Sequence, residues 1–400
     1  MNLLNPRSIQ TALLIMVATL FASTAYSQIS GGSVQVGSIP ASTPVMVRSG
    51  NSNTAALLQT AFTIHGGFSV VPTAGEADFV VSVDPIGPRA ARLAISSGVP
   101  EKVLFTETLQ GSSSINAIYQ AVDRAIYKTR RTDGFFSGKI AFISEETGST
   151  EVCVSDVLFQ EIAMLTQDRV SAVRPRWSPD GNSIVYTSYK SGFPDIYRLD
   201  LLNKRREVIA DFKGLNMGAR YSPDGSKIAM IVSGNSNADV WVRSASGQMK
   251  NLTKSRGLEA APAWSPDGTR IVFSSDERGG PQLYVMPAHG GSYRRLRTDI
   301  SGDCAEPDWN PEFDNLIAFT AAQGSGTQIA IFDSELGQSR FITSENGDAI
   351  EPQWLPDGRH LLYTYRRANR SVIKIMDTLS GKSYVVSGSR TKVSQASYVK

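Results

Sequence analysis

The chain has 400 residues, of which 41% are hydrophobic and 19% are charged, and this globular composition excludes a largely disordered protein. The length indicates two domains rather than one. The net charge is only +3 and no basic run is longer than Lys204–Arg206, so the clustered basic stripe typical of nucleic-acid-binding proteins is missing.

Residues 1–27 are predicted to be a signal peptide. Arg7 precedes an apolar stretch from Thr11 to Ala22, and small residues follow up to Ser27. The apolar stretch is about 12 residues long, which is too short to span a bilayer comfortably. We therefore expect cleavage near Ser27 and export of a soluble protein without a transmembrane segment. A retained membrane anchor is the alternative.

Residues 28–135 do not carry the repeat that is described below. Their pattern of helices and strands predicts a small α/β domain. Helical spacing of apolar residues predicts helices over Ser52–Ile64 and Ser113–Arg131, the second with basic residues in its last turn. Four runs bounded by Gly, Pro and Asp predict strands. These runs are Phe68–Val71, Ala77–Val83, Ala91–Ile95 and Val103–Leu109.

Residues 138–400 consist of one repeated unit. An aromatic residue followed by Ser-Pro-Asp-Gly, a sequence that suits a type I turn, recurs at intervals of 43 to 45 residues. It begins at Trp177, Tyr221 and Trp264, in a weaker form at Trp309, and again at Trp354. A β-rich segment beginning at Ile140, Ile184, Ile228, Ile271, Ile317 or Leu361 occurs six times. Four strands in about 44 residues form one blade of a propeller, so the fold class is mainly β: a six-bladed β-propeller preceded by a small α/β domain.

The last residues of the chain are predicted to complete the first blade. Tyr398 falls in register with the aromatic residues of the other units, whereas the first unit lacks its aromatic strand. We expect residues 394–399 to pair beside Ile140–Ser144, which would close the ring and remove open sheet edges. The alternative is a frayed terminus.

The two faces of such a disc differ in their loops. If each aromatic strand comes first in its blade, all Ser-Pro-Asp-Gly turns lie on one face. The longer and more varied loops lie on the other face, where binding residues concentrate on a rigid scaffold. These loops are Asp211–Gly218, Ser255–Ala260, Thr298–Ala305 and Ser344–Ile350.

The sequence resembles the TolB family of the Tol–Pal system. The resemblance rests on the helix Ala117–Lys128, on Gly134-Phe135, on Lys139–Phe142 and on the tandem Trp-Ser-Pro-Asp-Gly repeats. It implies a periplasmic adaptor that binds the peptidoglycan-associated lipoprotein Pal through the propeller and TolA through the N-terminal part. Together these contacts maintain outer-membrane integrity during cell division. Residues 28–50 are rich in Gly and Ser, unlike the family's usual start.

The resemblance also implies protein-binding positions on the variable face, just upstream of the aromatic strands. They are Leu215 and Gly218 in one unit and Ala260 and Ala261 in the next, where the family commonly has an acidic residue and this chain has Glu259 two places away. Glu306 and Glu351 occupy the equivalent place in Glu-Pro-x-Trp sequences. The alternative for these two is a solvated loop charge.

No catalytic, cofactor-binding or metal-binding residue is predicted. The sequence contains no Gly-x-Ser-x-Gly elbow, its histidines His65, His289 and His360 lie in unrelated places, and no zinc spacing occurs. Cys153 and Cys304 are expected to be unpaired. The alternative function is an exported TolB-like propeller with lyase, lactonase or carbohydrate-binding activity at its central channel.

Overall fold

A computed structural model describes residues 42–234 and 237–400. The predicted signal peptide, residues 1–27, and the predicted start of the N-terminal domain at residue 28 lie outside the described residues. No described helix is long and apolar enough to cross a membrane.

The N-terminal part is a five-stranded sheet with two helices. Its elements are β1 (Thr43–Arg48), α1 (Ser52–His65), β2 (Phe68–Val70), β3 (Phe79–Gly87), β4 (Ala90–Ser97), β5 (Val103–Gln110) and α2 (Ser114–Arg130), with a short 3₁₀ turn at Ala74–Glu76. The sheet order is β2-β1-β3-β4-β5, and β1 runs parallel to both of its neighbours. The helices begin at capping side chains, since Asn51 accepts the N–H of Thr54 at 3.0 Å and Ser113 accepts that of Asn116 at 3.1 Å.

The rest of the chain forms six four-stranded antiparallel blades, which confirms the predicted fold class. Blade 1 contains β6 (Lys139–Ser144), β7 (Glu151–Asp156), β8 (Ile162–Met164) and β29 (Val393–Val399). Blade 2 contains β9 (Ala172–Trp177), β10 (Ser183–Ser188), β11 (Asp195–Asp200) and β12 (Arg205–Ala210). Blade 3 contains β13 (Asn216–Tyr221), β14 (Lys227–Val232), β15 (Asp239–Ser244) and β16 (Met249–Asn251).

The remaining three blades repeat this order. Blade 4 contains β17 (Glu259–Trp264), β18 (Arg270–Ser275), β19 (Gln282–Pro287) and β20 (Arg294–Arg295). Blade 5 contains β21 (Cys304–Trp309), β22 (Leu316–Gln323), β23 (Gly326–Asp333) and β24 (Gln338–Phe341). Blade 6 contains β25 (Asp348–Trp354), β26 (His360–Arg367), β27 (Arg370–Asp377) and β28 (Ser383–Val385).

The blades close into a ring. The innermost strands β9, β13, β17, β21, β25 and β29 each contact the next one, and β29 contacts β9. The C-terminal strand β29 pairs antiparallel with β6, so that Tyr398 lies opposite Ile140. The aromatic residues of the innermost strands pack in apolar clusters that join neighbouring blades, as Trp177 does between blades 1 and 2; all are buried except Tyr221, which is half-buried. Their role is therefore packing between blades.

The recurring Asp of the turns serves the turn itself. Asp180 accepts hydrogen bonds from the hydroxyl of Ser178 at 2.5 Å and the backbone N–H of Asn182 at 3.1 Å. These hydrogen bonds hold the pKa of Asp180 below its usual value. Asp224 and Asp267 make the same two contacts in the next blades.

The N-terminal domain and the propeller share one apolar core. The cluster includes Phe62 of α1, Ile126 of α2, Phe135 of the connection, and Leu362 and Tyr398 of blades 6 and 1. The N-terminal domain rests on the face that carries the Ser-Pro-Asp-Gly turns, which we call the turn face. The opposite face, which we call the loop face, carries the loops that lead into the innermost strands and is left uncovered by the described part of the chain.

Candidate functional site

Each innermost strand contains a β-bulge near its loop-face end, and the bulged residue has a positive φ. The φ angles are 56° at Arg174, 66° at Gly218, 50° at Ala261, 53° at Glu306, 58° at Glu351 and 57° at Gln395. Pairing with the second strand of each blade shifts register at this point. Because a bulge re-aims a side chain, these six equivalent residues line one cavity at the channel mouth.

On one side of the channel mouth, the bulged residues are joined by hydrogen bonds between blades. The carboxylate of Glu306 accepts the N–H of Glu351 at 3.0 Å, and that of Glu351 accepts the N–H of Gln395 at 3.1 Å. The side-chain oxygen of Gln395 accepts the N–H of Arg174 at 2.6 Å. Hydrogen bonds between blades therefore hold Glu306 and Glu351 in the channel mouth.

The charges at the channel mouth influence one another. Burial raises the pKa of Glu351, and the neighbouring Glu306 carboxylate raises it further. Arg220 forms an ion pair with Asp308, whose other oxygen accepts the N–H of Trp354 at 2.7 Å. Burial, and then the charge of Arg220, lowers the pKa of Arg176 to about 9.

The opposite side of the channel mouth, which we call its open side, has the small residues Gly218 and Ala261 at its bulged positions. Loops of the same face of the disc expose Phe193 (69% exposed), Phe212 (43%) and Leu258 (41%). We call these three residues the apolar rim. The loops of Phe193 and Phe212 are tied together, because the side-chain amide of Asn216 donates to the carbonyl of Phe212 at 2.6 Å and to that of Pro194 at 3.2 Å. Large apolar side chains grouped on one face of a propeller are typical of a protein-binding surface.

The predicted binding residues differ in their accessibility. Ala260 is exposed, whereas Gly218, Ala261, Glu306 and Glu351 are half-buried around the channel mouth. Leu215 is half-buried away from that cavity, against the apolar cluster that joins blades 3 and 4. Glu259 points inward and is only 2% exposed.

Hydroxyl groups surround the inward carboxylate of Glu259. It accepts hydrogen bonds from Ser255 at 2.6 Å, Ser275 at 2.8 Å and Thr253 at 3.1 Å. Burial nevertheless raises the pKa of Glu259 to about 7. Its carboxylate shapes the loop of Ser255 and is not offered to a partner on the surface.

Sequence reasoning did not find four polar residues of the channel mouth, namely Arg174, Arg176, Arg220 and Gln395. A signal existed, because Arg174 begins an Arg-Pro-x-Trp sequence in register with the two Glu-Pro-x-Trp sequences.

The expectation that the histidines lie in unrelated places is wrong for His65 and His360. Their ring centres are 5.4 Å apart where α1 meets blade 6. Cys153 and Cys304 are both buried and free. Among residues 42–234 and 237–400, no group of His, Cys, Asp and Glu side chains is arranged to hold a metal ion.

Comparison with known proteins places this geometry in a family. The family described as the TolB beta propeller domain matches residues 128–399. The Tol-Pal system protein TolB of Bordetella pertussis is 31% identical over 199 residues, and the match covers 49% of this chain and 45% of that protein. The same figures hold for the protein of Bordetella parapertussis. The match thus spans about half the length of these curated relatives.

Solved structures share the fold. TolB from Acinetobacter baumannii has a TM-score of 0.79 and 24% identity, covering 94% of this chain and 98% of that chain. A putative TolB from Agrobacterium tumefaciens has a TM-score of 0.51 and 19% identity, covering 62% and 88% of the two chains. The first of these likenesses includes the N-terminal domain as well as the propeller.

Proposed function

The chain belongs to the TolB β-propeller family, and from that membership we propose that it is a periplasmic adaptor of a Tol–Pal cell-envelope system. In this role it binds a Pal-like peptidoglycan-associated lipoprotein through the loop face of the propeller. The adaptor contributes to outer-membrane integrity during cell division. Its export depends on the signal peptide expected in residues 1–27.

One observation carries the choice of face. The N-terminal domain packs on the turn face, while the loop face keeps the apolar rim of Phe193, Phe212 and Leu258 exposed beside a rigid ring of bulges. Exposed aromatic and aliphatic side chains are the anchors that protein interfaces bury at their centre. Loops on a rigid scaffold also lose little conformational entropy on binding.

We assign the direct contacts to the open side of the channel mouth. Leu215, Gly218, Ala260 and Ala261 lie within six residues of Phe212 or Leu258 in the sequence, so they are proposed to touch the partner. Glu306 and Glu351 form the opposite wall, where a partner that covers the channel would reach them. Glu259 acts indirectly in this proposal, by fixing the loop of Ser255.

A TolA-like inner-membrane protein is the proposed second partner, bound by the N-terminal part of the chain. That partner would approach from the side of the turn face, so both partners have separate surfaces. The domain limits of residues 28–135 and 138–400 are part of this proposal.

The alternative activities at the central channel gain no support from its dimensions. The cavity at the channel mouth has a volume of about 30 Å³. Pockets that hold small-molecule ligands usually have several hundred Å³. A sugar residue would not enter without displacement of the innermost strands.

The proposal is tested by titrating the mature protein with the soluble domain of the Pal-like lipoprotein from the same organism in a calorimeter. A saturable one-to-one complex is expected. If no heat of binding is seen at concentrations of about 100 μM, which corresponds to an affinity weaker than about −5.5 kcal/mol, the proposed function is overturned.

A further inference from the structure

The channel holds unequal numbers of positive and negative side chains one step below the bulges. Two residues beyond each bulged position, the six blades carry Arg176, Arg220, Ala263, Asp308, Gln353 and Ser397. This level therefore has two guanidinium groups and one carboxylate. Asp308 is already committed, because one of its oxygens pairs with Arg220 and the other accepts the N–H of Trp354.

Arg176 consequently finds only main-chain partners among the described residues. Its Nη1 donates to the carbonyl oxygens of Pro175 at 3.3 Å and Ala396 at 3.1 Å. Its Nε and Nη2 make no hydrogen bond with the described residues, and neither atom is sealed from solvent. Arg176 lines the cavity at the channel mouth, so these two donors are the groups of its side chain that remain for a ligand there.

The level of the bulges does not supply the missing negative charge. The carboxylate of Glu306 is occupied by Thr320 at 3.0 Å, by the N–H of Glu351 at 3.0 Å and by Arg174 at 3.4 Å. The second carboxyl, that of Glu351, accepts the hydroxyl of Thr364 at 2.8 Å and the N–H of Gln395 at 3.1 Å. Neither carboxyl makes a hydrogen bond with Arg176 in the described part of the chain.

We propose that the channel mouth binds one small anion, a halide or a single carboxylate group, on the Nε and Nη2 donors of Arg176. This edge of a guanidinium presents two parallel N–H groups, the geometry that suits bidentate contact with a carboxylate. The cavity of about 30 Å³ has room for one or two water-sized groups, which fits such an anion.

The anion bound by Arg176 can come from two sources. A free anion enters the open side of the mouth at Gly218 and Ala261, where no long side chain obstructs it. A partner on the loop face that carries an Asp or Glu at its centre would deliver a carboxylate to the same place. The second source rests on the proposed function, whereas the first does not.

The test uses chloride as the probe. In chloride-35 NMR, the wild-type protein is expected to broaden the resonance of free chloride, and acetate is expected to reverse this by competition. R176Q should lose the excess broadening. The matched control is R294Q, because Arg294 is exposed on β20 and outside the channel, and it should broaden chloride as the wild type does. Equal broadening by wild type and R176Q would overturn the proposal.

Two further measurements complete the test. Bromide-soaked crystals of the wild-type protein should show an anomalous peak within hydrogen-bond distance of Arg176, and this readout needs no variant that must fold. An empty channel mouth would overturn the proposal. Acetate should weaken binding of the Pal-like domain if the partner supplies the carboxylate, and leave it unchanged if the anion is free. The chloride and bromide measurements involve no partner, so their failure leaves the proposed function untouched.

Discussion

The ring nitrogen Nε2 of His360 lies 3.1 Å from the backbone carbonyl oxygen of His65, and this contact joins blade 6 to the last residue of α1. The other ring nitrogen, Nδ1, lies 2.5 Å from the carboxylate of Asp357. His360 therefore bridges the carboxylate of its own turn and the last residue of α1. In blade 6, the Asp of the turn therefore positions His360, and His360 contacts the N-terminal domain.

Replacement of His360 should weaken the joint between the domains. The glutamine side chain of H360Q cannot reach both the buried carboxylate of Asp357 and the carbonyl of His65, so we expect a loss of about 3 kcal/mol in the free energy of unfolding. Urea unfolding of the wild type and H360Q measures this loss. His289 is exposed, and the control H289Q should change stability by less than about 0.5 kcal/mol. Equal stabilities of the two variants would contradict this account.

The pH dependence of stability should report His65. Burial, and then the charge of His360, lowers the pKa of His65 from 6.5 to about 3. Between pH 6.5 and 3, His65 is protonated in the unfolded chain but stays neutral in the folded protein. The free energy of unfolding therefore falls as the pH drops from 6.5 towards 3. H65N keeps an acceptor for the N–H of Gly67, which now reaches His65 Nδ1 at 3.3 Å, but does not titrate.

The measurement is urea unfolding of wild type and H65N at a series of pH values from 6.5 to 4.5. The slope of stability against pH should be smaller in H65N by up to about 1.4 kcal/mol per pH unit. Parallel curves would show that His65 accepts its proton in the folded protein. Carboxylates with lowered pKa values contribute equally to both curves and cancel in the comparison.

Glu259 should contribute a pH dependence of stability that is opposite in sign to that of His65. Burial raises its pKa from 4.5 to about 7, so the folded protein holds a proton that the unfolded chain releases between these values. Stability therefore falls as the pH rises through this window. E259Q removes the ionisation and should be more stable than wild type at pH 8 by on the order of 2 kcal/mol, with no gain near pH 4.5. Thermal unfolding at the two pH values measures the difference, and a gain of equal size at both would contradict it.

Gly66 should be intolerant of any side chain. It ends α1 with a φ of 66°, and a Cβ atom there would lie 2.3 Å from the carboxylate of Asp377. G66A should therefore lose more than the cost of about 1 to 2 kcal/mol that a left-handed residue carries. The control G181A has a similar φ of 70° but no neighbour closer than 3.7 Å, and should show the conformational cost alone. Equal losses in urea unfolding would show that the domains separate readily at this point.

The blades could be predicted because the six units share one local sequence pattern. A turn sequence, an aromatic residue and apolar strands recur in fixed register, and Tyr398 keeps that register up to the end of the chain. The strand β1 was missed because Pro44 and the surrounding Gly and Ser residues argue locally against a strand, while its pairing with β2 and β3 is a tertiary effect.

The candidate site was predicted only in part. The family resemblance led to Gly218 and Ala261, and the equivalent places in the next two units led to Glu306 and Glu351; the structure shows all four to be bulged residues around one cavity. That Glu259 turns inward could not be deduced, because alternation along a strand is interrupted by the bulge two residues later. The contact between His65 and His360 joins residues that are 295 positions apart, and no local sequence pattern predicts it.

Binding of the Pal-like partner by the loop face, and not by the turn face, can be measured with the F193S/F212S double variant. The double variant is titrated with the soluble Pal-like domain in a calorimeter, with L202S as the control, because Leu202 is 73% exposed on the turn face. We expect the double variant to bind at least about tenfold more weakly, a loss of about 1.4 kcal/mol, while L202S binds as the wild type does. Unchanged affinity in the double variant together with weakened binding by L202S would contradict it.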